Sequence, residues 1–294
     1  MSWVTLQLFS LILNSANSVL DKRLVRDHEA NPVMYLASFA LVGLPVVLIG
    51  LFIVPWSGYK AAGAGLLTGL IFTGIVLLYY KAMSLDDVSQ LVPILRLSSL
   101  LNLLFLAIFL DDTLSTPQYV AAGCMLMGTL ALSWRKKKEG SRHRIGKGMV
   151  LMAIVAFLSA INGLLNSHLN LAYTPLVLLV WSQAGNVLGL LFVLMLRQQR
   201  QALRHSLTTS SRHFQMCIIG EQIVRLITGI LSDFALHEAG SAAIVSVIGG
   251  FRPFVVLLLA VIFLQERFTR QEILPKLVGI GLMTVGTCFL LLAK

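Results

Sequence analysis

Ser241–Thr269 reads SAAIVSVIGGFRPFVVLLLAVIFLQERFT, and this stretch decides the fold. Its first 24 residues, as far as Leu264, contain a single charge, that of Arg252. As a helix they would be about 36 Å long, which is enough to cross a bilayer. An arginine at mid-depth costs about 2.5–3.5 kcal/mol on insertion scales, so its presence needs a structural or functional reason. Pro253 follows it and removes one helix hydrogen-bond donor.

The whole chain has the composition of a membrane protein with several spans. Of its 294 residues, 57% are hydrophobic and 12% are charged, and the mean hydropathy is +0.84. A soluble domain has about 25% charged residues. The net charge of +10 would suggest nucleic acid in a soluble protein. Here the basic residues lie mostly in short connections, where they set orientation. The three cysteines lack metal-ligand spacing, and we expect no nucleic acid, metal or cofactor.

Ten apolar segments follow one another, each of the length expected for a transmembrane helix. Short loops connect them, and the longest are Arg135–Arg144 and Arg197–His213. The sequence therefore predicts an all-α polytopic membrane protein. The segments are Trp3–Leu20, Pro32–Val54, Ala61–Met83, Val88–Leu110, Gln118–Trp134, Ile145–Leu169, Pro175–Leu196, Phe214–Leu236, Ser241–Leu264 and Ile273–Ala293.

Basic residues are unevenly distributed among the loops. Most of the 23 lysine and arginine residues lie in or beside the loops that follow odd-numbered segments, and Arg135–Lys138 is the densest run. Because cytoplasmic loops are enriched in Lys and Arg, these loops are predicted to be cytoplasmic and both termini non-cytoplasmic. We expect a multi-pass protein of the cell inner (plasma) membrane.

The end of the opening stretch has a weaker copy upstream. Phe263–Glu266 aligns with Phe109–Asp112 at an offset of 154 residues. Each half, residues 1–138 and residues 139–294, then contains five spans, an odd number, so the halves enter the membrane from opposite sides. This inverted-topology repeat is typical of secondary transporters with a site between the halves. The predicted fold is ten transmembrane helices as two inverted five-helix repeats around a central cavity.

The repeated unit resembles the EamA family of the drug/metabolite transporter superfamily. Each copy has five spans, with an acidic residue and a polar turn before a glycine-bearing last span. The resemblance is clearest at Phe263–Thr269, followed by Gly279 and Gly286, with Asp112 at the corresponding place in the first half. It implies ten helices around a cavity lined mainly by spans 1–4 and 6–9, with Asp112 and Glu266 in structural roles. It also implies a transporter, not an enzyme.

Arginines inside the spans are the first candidate substrate contacts. Arg252 either anchors an anionic or zwitterionic substrate, or forms an internal ion pair or a clamp on helix carbonyl groups. Arg96 lies about two residues from the corresponding position of the first repeat. Two pseudo-symmetric guanidinium groups facing one cavity would favour a carboxylate or a phosphate through bidentate hydrogen bonds.

Other polar residues inside the spans complete the candidate site. Glu221 and Arg225 are four residues apart on one helical face. They either neutralise each other, or Glu221 acts as a proton carrier or as the counter-charge of an amine. Buried amides either bind substrate or hold helices together. The amide candidates are Asn14, Asn17, Asn162, Gln183 and Asn186, of which Asn17 and Asn162 occupy matching places in the two halves.

The function predicted from these features is secondary active transport of a small polar metabolite, such as an amino acid, by alternating access. Its partners would be this solute, the bilayer and a coupled proton or counter-substrate. The sequence contains no nucleotide-binding loop, which argues against direct use of ATP. A flippase for an anionic lipid-linked intermediate would use the same arginines. A membrane-embedded enzyme would need an acid, base or nucleophile cluster that the sequence does not provide.

Two glycine motifs bear on assembly. Gly65-x-x-x-Gly69 and Gly185-x-x-x-Gly189 allow two helices to approach closely. The contact is either internal or between subunits, so the sequence is compatible with a monomer or a homodimer.

Overall fold

The structure is a computed structural model that describes residues 2–27, 31–85, 88–109, 115–132, 146–249, 252–264, 274–275, 277–282 and 284–286. The described residues form helices, and no strand occurs among them. The helices are α1 (Trp3–Asp27), α2 (Pro32–Ile53), α3 (Tyr59–Leu85), α4 (Val88–Phe109), α5 (Thr116–Leu132), α6 (Lys147–Ala172), α7 (Pro175–Met195), α8 (Arg197–Thr209), α9 (Arg212–Ala239), α10 (Ala242–Gly249) and α11 (Arg252–Leu264).

Five helices are long and apolar enough to span a membrane by length and composition, namely α2, α3, α6, α7 and α9. An all-helical multi-pass membrane protein is therefore confirmed. The segment predicted at Ile273–Ala293 is described only in part, so the count of ten spans stays a prediction. Residues 250–251, between α10 and α11, and residues 133–145, which include the predicted boundary between the halves, lie outside the described part.

The helices α2 and α7 begin in the same way, with a proline in the first turn. Pro32 opens α2 and Pro175 opens α7, and both follow a residue in an extended conformation. A proline is tolerated there because the N–H group that it lacks has no partner within the helix. At α2 the side chain of Asn31 also accepts a hydrogen bond from the main-chain N–H of Val33 at 3.0 Å. The two helices thus start alike in the two halves.

Contacts between helices occur in matched pairs. The helix α1 packs along α9, as α6 packs along α3. The helix α1 also packs on α11, as α6 packs on α4, and α2 and α7 pack on each other. We take α6, α7, α9 and α11 as the counterparts of α1, α2, α3 and α4. Each of these contacts then corresponds to a contact between the counterpart helices. The arrangement fits a two-repeat fold.

The two Gly-x-x-x-Gly motifs meet within one chain. A Cβ atom built on either Gly69 or Gly185 would lie within 3.0 Å of main-chain atoms of the other helix, so neither position has room for a side chain. The motifs therefore serve an internal contact between α3 and α7. In order along α3, the contacts are Gly65 with Trp181, Gly69 with Gly185, and Thr73 with Gly189, so the two helices run parallel.

The connection Arg197–His213 contains the helix α8, not only a loop as the sequence predicted. Leu203 of α8 packs against a buried cluster in which the rings of Tyr35 and Tyr80 stack 4.6 Å apart. The arginines of α8, among them Arg200, are exposed. Such a short helix with one apolar face has no long apolar run, which is why hydropathy did not reveal it.

Candidate substrate site

One turn of α1, from Asn14 to Ser18, receives polar side chains from both α9 and α11. The Nδ2 atom of Asn17 donates hydrogen bonds to the main-chain oxygen and to Oε1 of Glu221, each at 3.2 Å. The Nη2 atom of Arg252 donates to Oγ of Ser18 at 2.7 Å. Residues predicted from three separate segments are therefore brought together at this turn.

Glu221 and Arg225 form an ion pair at this place. Oε1 of Glu221 accepts from both Nε and Nη2 of Arg225, at 3.1 and 2.5 Å, and Oε2 accepts from the side chain of Gln222. The Glu221 side chain has no exposed surface, whereas 35% of the Arg225 side chain is exposed. The carboxylate is therefore enclosed and matched by a cation. About a third of the Arg225 side chain stays exposed.

Polar contacts continue along α1 and α9 beyond this turn. Ser10 donates from Oγ to the main-chain oxygen of Thr228 at 3.0 Å, and Ser232 donates from Oγ to Oε1 of Gln7 at 3.4 Å. The order of these contacts makes α1 and α9 antiparallel. Sequence reasoning did not single out Gln7 and Ser10. With Asn14 and Asn17 they are spaced three, four and three residues apart on one helical face, a pattern that could have revealed the contact.

Ser18, which accepts the hydrogen bond from Arg252, is itself oriented by a hydrogen bond within α1. Ser18 donates from Oγ to the main-chain oxygen of Asn14 at 3.0 Å, so its hydroxyl hydrogen is used and its oxygen faces Arg252. This arrangement holds the guanidinium group of Arg252, the first residue of α11, against α1. Asn14 is half-buried, and its role in substrate binding stays a prediction.

The predicted amides of α7 lie in a different interface. Nδ2 of Asn186 is 3.5 Å from Oε1 of Gln183, and both residues are buried. Gln183 lies against Gly43 of α2, and the main chain of Asn186 lies against Gly69 of α3. These surroundings favour a role in helix packing, and substrate binding by the two amides stays a prediction.

Asn17 and Asn162, which occupy matching places in the two halves, share one property. Each has a buried Oδ1 atom that finds no hydrogen-bond partner among the described residues. An unsatisfied buried acceptor is costly, and a water molecule or a solute can supply the missing donor. Asn162 lies on α6, next to Gly163, which is in contact with Asn102 of α4. Asn17 therefore lies at the contact of α1 with α9, and Asn162 lies near the contact of α6 with α4.

Three predicted residues lie wholly or partly outside the described part of the structure. The backbone of Arg96 belongs to α4, but its side chain is not described. Asp112 and Glu266, the acidic residues of the repeated turns, are not described at all. The pairing of Arg96 with Arg252 across a cavity therefore stays a prediction.

A second polar group joins α6 to α9 near the C-terminal end of α9. It consists of Asn170, Asp233 and His237. Asp233 is a further acidic residue within the segment Phe214–Leu236, and its spacing of four residues from His237 is the signal that could have marked it. Within the described ranges, no cluster of three His, Cys, Asp or Glu residues is placed to hold a metal ion.

Comparison with known proteins adds the family. The model of the EamA-like transporter family matches residues 1–134 and again residues 146–292. The chain belongs to the EamA-like transporter family. A crystal structure superposes on this EamA-like chain with a TM-score of 0.69, over 99% of this chain and 98% of the other, at 17% sequence identity. This likeness supports the fold alone. No curated protein matches the chain.

Family membership gives the general function of the chain, and the role of the polar group at α1 in that function stays a prediction. EamA-like proteins are membrane transporters of small molecules. The chain is therefore a multi-pass membrane protein with a small-molecule substrate.

Proposed function

We propose that this protein is a secondary active transporter that moves a small anionic or zwitterionic metabolite, such as an amino acid, across the plasma membrane by alternating access. The observation that supports this proposal is that one turn of α1 binds Arg252 directly, through Ser18, and Arg225 indirectly, through Asn17 and Glu221. A third of the Arg225 side chain is exposed although its partner Glu221 is fully enclosed. A carboxylate or phosphate group of the solute would bind these two arginines through charge-assisted hydrogen bonds.

Alternating access needs a site that both sides of the membrane can reach in turn. In the proposed architecture, residues 1–138 and residues 139–294 form inverted repeats of five helices each, and the site lies between them. The matched helix contacts and the antiparallel packing of α1 on α9 support this plan. Both termini would be non-cytoplasmic, with α8 and its arginines on the cytoplasmic side.

The solute can be sought with purified protein in detergent. Amino acids, organic acids and phosphorylated metabolites are tested one by one for a rise in Tm, since a ligand that binds only the folded state stabilises it. We expect solutes with a carboxylate or phosphate to raise Tm and their amides or neutral esters to have no effect. If lipids raise Tm and no water-soluble compound does, the transport proposal fails in favour of a lipid flippase.

Transport is then measured in liposomes with the solute that gives the largest rise in Tm. Arg252→Ala is expected to weaken binding about tenfold or more, because a hydrogen bond to a charged group contributes about 1.5–3 kcal/mol. Arg200→Ala, on the exposed face of α8, is the matched control that removes an arginine elsewhere. Uptake at the wild-type rate by Arg252→Ala would remove Arg252 from the site.

A further inference from the structure

In the polar group at the α6–α9 interface, one buried asparagine of α6 contacts two side chains of α9, through its side chain and through its main chain. Asn170, which is completely buried, donates from Nδ2 to Oδ1 of Asp233 at 3.1 Å and to the main-chain oxygen of Asn166 at 3.0 Å. His237 donates from Nδ1 to the main-chain oxygen of Asn170 at 2.8 Å. Asp233 and His237 are four residues apart, on the same face of α9.

The two carboxylates inside α9 have opposite surroundings. Glu221 accepts hydrogen bonds from Arg225, Asn17 and Gln222, so its charge is matched. Asp233 accepts from the neutral amide of Asn170, and it forms no ion pair with any described lysine, arginine or histidine. A carboxylate anion with one neutral donor in an apolar helix is costly, and a bound proton removes its charge.

The described side chains of the neighbouring helices place no compensating charge beside Asp233. Among the described side chains, α2, α7, α10 and residues 3–20 of α1 contain no Asp, Glu, Lys, Arg or His. The helix α6 has His168, which is exposed, and Lys147 at its opposite end. On α9 itself, His237 and Glu238 are exposed beyond Asp233, and Arg225 is two turns away and paired. The titratable groups nearest to Asp233 along the chain are therefore on its aqueous side.

The position of Asp233 allows protons to reach it. It lies six residues, or about 9 Å, from the end of α9 at Ala239. Gly240, with a positive φ of 67°, ends the helix there. His237, which is exposed and lies one turn beyond Asp233 toward this end, is hydrogen-bonded to the main-chain oxygen of Asn170, the residue that holds Asp233.

We propose that Asp233, positioned by Asn170, is the proton-binding residue of a proton-coupled transport cycle. A proton from water binds to the carboxylate oxygen of Asp233 and gives a neutral acid, and its release to the other side restores the anion. This proposal rests on the proposed transport function. Glu221, the proton carrier considered from sequence, is paired with Arg225, and the proposal assigns proton binding to Asp233 instead.

Asp233 and the ion pair of Glu221 with Arg225 both lie on α9, which suggests how proton binding is coupled to solute binding. Asp233 is twelve residues, or about 18 Å, from Glu221 along the helix. The residue before Asp233, Ser232, bonds to Gln7 of α1, and Glu221 bonds to Asn17 of α1. A change in charge at Asp233 therefore acts on the same helix pair that presents Arg225 and Arg252.

The test labels the protein with dicyclohexylcarbodiimide, an apolar reagent that reacts with protonated carboxyl groups inside membrane proteins. Mass spectrometry then identifies the labelled residue at pH values from about 6 to about 9. We expect label on Asp233, at least several-fold more at the acidic end, and none on Glu221 or on the exposed Glu238. Label on Glu221 in place of Asp233, or label on Asp233 that does not change with pH, overturns the proposal. Protection by Na⁺ at constant pH also overturns it, because the site would then bind Na⁺.

A second measurement separates this proposal from the transport function on which it rests. Asp233→Asn keeps the size of the side chain and an oxygen that accepts from Asn170. In liposomes a pH gradient is expected to accelerate solute uptake by the wild type several-fold and to have no effect on uptake by this variant. If the gradient still accelerates uptake by Asp233→Asn, Asp233 is not the coupling residue. If no solute is moved by the wild type while Asp233 is labelled as expected, the transport function fails and proton binding stands.

Discussion

Asn17 of α1 binds Glu221 of α9 twice, through the main-chain oxygen and through the carboxylate, both at 3.2 Å. One amide group therefore fixes the helix and orients its acidic side chain. In a membrane there is little hydrophobic drive between helices, so such hydrogen bonds and close packing hold them together. The contact also ties the ion pair of Glu221 and Arg225 to the helix that Arg252 contacts.

Replacement of Asn17 is expected to weaken this helix pair in a graded way. Asn17→Ala removes both hydrogen bonds and should lower the free energy of unfolding by about 1 kcal/mol. Asn17→Asp places a second carboxylate beside Glu221 and should lower it further, since like charges in a buried place repel. Thermal unfolding of the two variants in detergent measures the difference. Equal Tm values for Asn17→Asp and the wild type would show that the contact with the Glu221 carboxylate is not important for stability.

The ion pair of Glu221 and Arg225 is expected to be asymmetric in its effect on stability. Arg225→Gln leaves a fully enclosed carboxylate without its cation and should cost about 1–3 kcal/mol. Glu221→Gln should cost less, because a third of the Arg225 side chain is exposed and water can hydrate the released guanidinium group. The double variant should recover part of the loss, as a double-mutant cycle of unfolding free energies would show. Additive losses would mean that the two side chains do not interact in the folded protein.

The orientation proposed for the chain can be tested with single cysteines. In a variant whose own cysteines are replaced, Ser57→Cys between α2 and α3 should react with an impermeant maleimide added outside intact cells. Gln201→Cys on α8 should react only after the membrane is opened, because loops rich in arginine remain cytoplasmic. The opposite labelling pattern would place both termini in the cytoplasm.

The sequence predicted the helices well because long apolar runs are a strong signal. The predicted segment Pro32–Val54 and the helix Pro32–Ile53 differ by one residue, since proline marks the start. The helix α9 extends three residues beyond the predicted segment at its C-terminal end, where polar residues such as Glu238 continue the helix outside the apolar run. Such polar ends cannot be assigned from hydropathy.

The candidate site was predictable only in part. Spacing of four residues placed Glu221 and Arg225 on one face of a helix and left open whether they pair, and in the structure they form an ion pair. The contacts of Asn17 with Glu221 and of Arg252 with Ser18 join positions more than 200 residues apart, and they depend on helix packing. Which helices pack together cannot be read directly from a single sequence. Asp233 was missed for a related reason, since its single described partner, Asn170, lies on another helix.

The contact between α3 and α7 provides the sharpest test of the fold. At Gly69 an added Cβ would lie against main-chain atoms of α7, so Gly69→Ala should force the helices apart and cost about 1–3 kcal/mol. Gly185→Ala should have a similar effect, since its Cβ would meet main-chain atoms of α3. Gly63→Ala is the matched control on α3, because no atom lies within 4 Å of its Cβ position, and it should leave Tm unchanged or raise it slightly. The variants are compared by thermal unfolding and by the yield of monodisperse protein. Equal Tm values for Gly69→Ala and Gly63→Ala would show that α3 and α7 do not pack through these glycines.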